Sequence, residues 1–88
     1  MSRFTDYELS IFYKLWRNRC FGKGHMLIDN LTDGFPTNIQ DKILESVKEL
    51  IRRGHLVRKS SKHGLAVFIN LNMKKQIEEE LKKKYPFL

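Results

Sequence analysis

The chain has 88 residues, with 17 Lys and Arg against 10 Asp and Glu, for a formal charge of +7. That length holds one domain, residues 1–88, and 41 % hydrophobic with 11 % aromatic residues is enough for a packed core, which excludes disorder by composition. No apolar run nears the roughly 20 residues that span a bilayer, the N-terminus has no apolar secretory segment, and the lone Cys20 cannot form an internal disulfide, so a basic, cytoplasmic domain is expected.

The first predicted helix covers residues 5–19. Thr5 and Glu8 make a capping box, in which each side chain satisfies the other's backbone N–H, and Phe4 and Leu9 stand where a hydrophobic staple forms. Leu9, Phe12, Tyr13 and Trp16 recur at helical spacing, widened by Ile11 and Leu15. Gly22 and Gly24 then mark a turn. Residues 25–31 read as a short helix with Met26, Leu27, Ile28 and Leu31 inward, followed by a turn over 32–36. Thr37 and Gln40 repeat the capping-box spacing ahead of Ile39, Ile43, Leu44, Val47, Leu50 and Ile51, which predicts a helix over 37–53. Arg52 and Arg53 suit its negative end, and Gly54 suits the left-handed position just beyond.

After Gly54 the period changes to that of strands. Leu56-Val57-Arg58-Lys59 and Leu65 to Leu71 flank a polar loop over 60–64, a β-hairpin signal, with Leu65, Val67, Ile69 and Leu71 on one face. Asn72 is the expected cap of a last helix that carries Met73, Ile77, Leu81 and Tyr85 along one side. Glu78/Lys82, Glu79/Lys83 and Glu80/Lys84 are i,i+4 pairs in the favourable orientation, and Pro86 ends the helix.

This order of elements resembles the winged helix-turn-helix family over nearly the whole chain. The residues that carry the resemblance are the helix 37–53, Gly54-His55-Leu56-Val57-Arg58 and the hairpin over 59–68. In that family a helix ending in Leu-x-x-x-Gly-x-Leu/Ile-Val leads into the wing, and Leu50-Ile51-Arg52-Arg53-Gly54-His55-Leu56-Val57 fits. The resemblance implies an α+β fold: a three-helix core, a two-stranded β-hairpin wing and a C-terminal helix. It also implies sequence-specific binding of double-stranded DNA by a transcriptional regulator, with recognition helix 38–53 in the major groove and wing 58–65 on the backbone.

The charge distribution agrees. Residues 55–72 hold Arg58, Lys59 and Lys62 and no acid. A helix in a major groove must turn polar side chains toward base edges. With Ile39, Ile43, Val47 and Leu50 inward, Asn38 and Gln40 suit adenine, Lys42 suits guanine or a phosphate, and Ser46 flanks them. Thr37 at the helix start suits a phosphate, Arg58, Lys59, Lys62 and His63 suit backbone or minor groove, and Arg19 and Lys23 further phosphates. Asp41, Glu45 and Glu49 oppose this, since they repel phosphates. They favour the alternative, a winged-helix protein–protein interaction module without DNA binding. RNA binding ranks third, because the sequence lacks the clustered aromatics of a stacking platform.

The apolar side of the last helix either covers the core or forms a homodimer seam; the seam is favoured, and it is also the one place expected to have room for an effector. No catalytic residue, metal site, cofactor, membrane contact or small-molecule substrate is expected. His25, His55, His63 and Cys20 lack zinc-ligand spacing, and Gly22-Lys23-Gly24 lacks the longer frame of a phosphate-binding loop.

Overall fold

A computed structural model describes residues 3–87. The chain runs α1 (Asp6–Arg17), β1 (Met26–Leu27), α2 (Ile28–Asp33), α3 (Gln40–Arg52), β2 (Leu56–Ser61), β3 (Gly64–Ile69) and α4 (Lys74–Lys84). It is an α+β fold with four helices and one antiparallel three-stranded sheet of order β1-β3-β2.

α1 starts as its sequence dictates. Thr5 Oγ1 accepts from the Glu8 N–H at 3.1 Å, and Glu8 Oε1 accepts from the Thr5 N–H at 2.9 Å. The helix ends where Arg19 takes a left-handed φ of 54°, which lets the Cys20 N–H reach back to the Leu15 carbonyl at 2.9 Å. α3 closes in the same way, here with the residue best suited to it. Gly54 has φ 85°, its N–H bonds the Ile51 carbonyl, and the His55 N–H bonds the Leu50 carbonyl at 2.9 Å. The chain thereby leaves α3 in a fixed direction and enters β2 two residues later.

Four local expectations are corrected. Met26 and Leu27 are not helical; they form β1, pairing with Val67 and Ala66 of β3, so the sheet has three strands and α2 begins at Ile28. Thr37 does not close a capping box. Thr37–Ile39 is a 3-10 turn with no side-chain cap, and the Gln40 amide donates to the Phe35 carbonyl at 2.9 Å. The polar loop at 60–64 is shorter than expected, since Ser61 pairs with Gly64 and only Lys62 and His63 turn the chain. Asn70, not Asn72, caps the 3-10 turn ahead of α4, accepting from the Asn72 N–H at 3.0 Å, and Leu71 leaves the strand to lie 58 % exposed.

The core joins all four helices to the sheet. Ile11, Phe12 and Leu15 of α1, Leu31 of α2, Ile43, Val47 and Leu50 of α3, Leu56, Val67 and Ile69 of the sheet, and Ile77 and Leu81 of α4 are all buried in one cluster. Burying each of the large side chains is worth roughly 1.5–3 kcal/mol. Ile77 and Leu81 therefore pack inside the chain's own core, which is the core-cover reading of this stripe and not the favoured dimer seam. Of the expected ion pairs on α4, Glu78–Lys82 forms at 3.8 Å; Lys83 instead meets Glu80 at 2.7 Å and Lys84 meets Asp6 at 3.4 Å. No helix among the described residues is long and apolar enough to cross a membrane.

One carboxylate and one imidazole hold the junction between α1, α3 and α4. Glu8, buried, bonds the Thr5 N–H through Oε1 and Arg53 Nη1 through Oε2 at 2.9 Å. His55 lies edge-on to Phe4 and Phe12, with ring centroids 5.0 and 6.3 Å away, and its Nδ1 is buried without a partner among the described residues. Burial, with help from the Arg53 charge, pushes the His55 pKa below its ordinary value; Glu8 and a hydrogen bond with Gln76 oppose this, and Arg3 adds to it.

Glu8→Ala removes a cap acceptor and strands Arg53 beside the core, so it should cost about 2–4 kcal/mol in urea unfolding. A histidine whose folded pKa is depressed stabilises the fold above its unfolded value, about 6.5, and withdraws that stability as pH falls from there toward the folded value. The wild type should therefore lose stability on acidification below about pH 6.5, and His55→Phe, which keeps the ring contacts and cannot charge, should lose less.

Candidate nucleic-acid interface

Of the basic groups singled out in the sequence, Lys42, Arg58, Lys59, Lys62 and His63 fall on two elements that meet, α3 and the hairpin, whereas Arg19 and Lys23 are exposed in the turn between α1 and β1. From Leu50 to Ile77 the chain has no Asp or Glu. Within that stretch Arg53 is taken by Glu8 and Lys74 stands over the rings of Phe21 and Trp16 at 4.7 and 5.7 Å. Arg58, Lys59 and Lys62 are exposed and make no ion pair among the described residues.

Strand pairing decides where the hairpin cations point. Leu56 faces Ile69, Arg58 faces Val67 and Ser60 faces Leu65, so these six share one side of the two strands. Near the base that side is the buried one, with Leu56, Val67 and Ile69 in the core. Toward the tip it runs past the core, and Arg58 and Leu65 overhang the gap between α2 and α3. Lys59, one residue on, points to the opposite side with Ala66. Lys62 and His63 form the tip, where the His63 N–H donates to Ser61 Oγ at 3.2 Å and Ser61 Oγ donates to the Gly64 carbonyl at 2.8 Å. Gly64 has φ 123°, a conformation that favours glycine.

On α3 the buried line Ile43, Val47, Leu50 divides the exposed surface into two flanks. Leu44, Lys48, Ile51 and Arg52 face the hairpin, sharing a groove with Arg58, His63 and Leu65. Lys42, Glu45, Ser46 and Glu49 line a separate hollow beside Thr5, Tyr7 and Glu8 of α1. The expected reading set is thus split. Lys42 is exposed and Ser46 half-buried on the flank away from the hairpin, and Gln40 is half-buried with its amide bound to Phe35. Thr37 and Asn38 are exposed in the 3-10 turn ahead of α3. Lys48 and Arg52, which reasoning from sequence left out, are the α3 cations that stand beside the hairpin. Helical spacing marks them as outward-facing but does not show which outward flank the hairpin will cover.

The acids are partly answered. Glu49 holds Arg52 by two hydrogen bonds, one from Nε at 2.9 Å, and that bond together with the charges of Arg52 and Arg53 holds the Glu49 carboxyl below the ordinary carboxylate range. Both groups are exposed, so the pair contributes little to stability. Asp41 and Glu45 are exposed and make no ion pair among the described residues.

Aromatic side chains scattered in the sequence do gather elsewhere. Tyr13 and Tyr85 stack with centroids 4.0 Å apart, Phe87 meets both by its edge, and Arg17 lies over Tyr13 at 5.6 Å. Tyr13 comes from α1 and the other rings follow α4, so this cluster shares no residue with α3 or the hairpin. Cys20 is buried, and burial pushes its thiol pKa up, which makes it a poor nucleophile. No group of three or more His, Cys, Asp or Glu among the described residues is placed to hold a metal ion.

Comparison of the chain with family models, with curated proteins and with solved structures gave no match in any of the three.

Proposed function

We propose that this protein is a winged helix-turn-helix domain that binds double-stranded DNA, as a transcriptional regulator acting by recognition without chemistry. The observation that carries the reading is the three hairpin cations without an ion pair among the described residues, Arg58, Lys59 and Lys62, of which Arg58 stands next to Lys48 and the Glu49-paired Arg52 on α3. The order helix, strand, helix, helix, two-stranded hairpin, with the first strand added to the hairpin's second, supports it as a winged-helix arrangement. α3 would lie in the major groove with Thr37 and Asn38 leading, so that the exposed start of the helix meets a phosphate or a base edge. Lys48 and Arg52 take the hairpin-side strand of the groove, and Lys42 the opposite backbone. Arg58 and Lys59, on opposite sides of β2, straddle the hairpin, so one of them faces the duplex whichever side of the wing approaches it; Lys62 and His63 at the tip reach phosphate or minor groove. Gln40 has the smallest part, because reading adenine would cost its bond to Phe35.

A homodimer belongs to the same reading. With Ile77 and Leu81 inside the core, its contact would be built on Phe87, 73 % exposed beside Tyr85, and sedimentation velocity decides it.

The test is titration into mixed-sequence duplex DNA at about 50 and about 200 mM salt, read by fluorescence anisotropy. Six or more phosphate contacts should cost about a thousandfold in affinity across that range. Lys59→Ala with Lys62→Ala should weaken binding to every sequence alike and lower the salt slope by about 2, close to one counterion for each lysine removed from a phosphate. No binding at the lower salt would end the DNA reading, and leave Asp41, Glu45 and Glu49 as the face on which to seek a protein partner.

A further inference from the structure

Between α2, α3 and the overhanging hairpin lies an open groove of about 570 Å³. Its apolar lining is Leu27, Ile28, Leu44, Ile51 and Leu65, and none of the five is fully buried; Leu65 is 47 % exposed. Ile28 and Ile51 pack against the core by one side, Leu27 and Leu44 are half-buried and Leu65 is exposed, so the concavity presents a continuous apolar lining that is only partly covered. The rim is cationic. Lys48, Arg58 and His63 line it against the single carboxylate of Asp29, and Arg52 at the same edge is already held by Glu49.

We infer that this groove is a binding site for a small amphiphilic carboxylate, an aliphatic or aromatic body with one acid group. The apolar body lies on Leu44, Ile51 and Leu65, and the carboxylate reaches Arg58, whose planar guanidinium suits a two-oxygen acceptor. Size sets the class. The volume is that of a small-molecule pocket, typically about 300–1,000 Å³. Charge sets the head group, because Lys48 and Arg58 against the one carboxylate of Asp29 favour an anion over a neutral or cationic amphiphile. A bare phosphate would satisfy the rim and leave the apolar lining wet. The inference does not depend on DNA binding. It departs from the sequence-based expectation that an effector has room only at a dimer seam, because the groove exists only once the hairpin has folded over α2 and α3.

The test follows methyl signals in carbon–proton correlation spectra of the full chain during titration with decanoate below its micellar concentration. Decanol supplies the body without the charge, and inorganic phosphate the charge without the body. Decanoate should shift the Leu44, Ile51 and Leu65 methyls saturably, with decanol and phosphate each at least about tenfold weaker, the discrimination expected of one charge-assisted contact. Arg58→Gln should weaken decanoate by about tenfold while the core methyls of Leu15, Ile43 and Leu81 keep their positions, which shows the fold intact. Decanol binding as tightly as decanoate, an unchanged affinity in Arg58→Gln, shifts confined to other methyls, or no saturation would each overturn the proposal.

Discussion

Glu8 is a buried carboxylate with two obligations, and meeting both joins the start of α1 to the end of α3, where the chain turns toward the hairpin. It closes the first turn of α1 through Thr5 and grips Arg53 at the end of α3. A charge taken out of water must find such partners or cost several kcal/mol, roughly 3–5 when one partner is lost. Arg53 is also the cap residue from which Gly54 turns the chain out of α3, so the contact that satisfies Glu8 fixes the point where the hairpin begins. His55 packs into the same junction between Phe4 and Phe12, and its backbone carbonyl accepts from the Asn70 N–H at 3.0 Å, which ties the base of β2 to the end of β3.

From that anchored base the hairpin projects farther than its core contacts extend. Leu56, Val67 and Ile69 bury one side of it, and the same side continues outward as Arg58 and Leu65. Period-two alternation therefore does two things with one run of residues: it seals the core and, beyond the core, sets a cation and an apolar side chain over the gap between α2 and α3. The cationic surface and the groove beneath it are consequences of one overhang. A ligand in the groove and a phosphate on the rim would contend for Arg58.

Much of this was legible in the sequence where the cause is local. The Thr5–Glu8 box, the apolar period of α3, the left-handed Gly54 and the paired strands of the hairpin all depend on residues within a turn or two of each other, and each formed. Where the cause is distant, the sequence misled. Met26 and Leu27 are two residues without a period of their own, and they are strand only because β3, some forty residues later, offers them an edge. Thr37 has the spacing of a cap, but Pro36 and a 3-10 turn precede the helix and Gln40 bonds back to Phe35 instead. The stripe Ile77 and Leu81 is apolar for a reason the sequence states correctly, burial, and the partner is α1 rather than a second copy. The site divides the same way. An acid-free hairpin can be counted from residues alone, whereas the choice of Lys48 and Arg52 over Lys42 and Ser46 as its neighbours depends on how the hairpin packs on the core through Leu56, Val67 and Ile69.

In the proposed reading the hairpin and its neighbouring flank of α3 form one DNA-binding surface. The most direct measurement is a map of backbone amide shifts in nitrogen-15-labelled protein as a short mixed-sequence duplex is added. The expected result is a contiguous set of perturbations at Thr37, Asn38, Lys48, Arg52 and Arg58 through His63, with α4 and the Tyr13–Tyr85 stack unmoved. Perturbations centred on Tyr13, Tyr85 and Phe87, or on Lys42, Ser46 and the start of α1 with the hairpin silent, would contradict it.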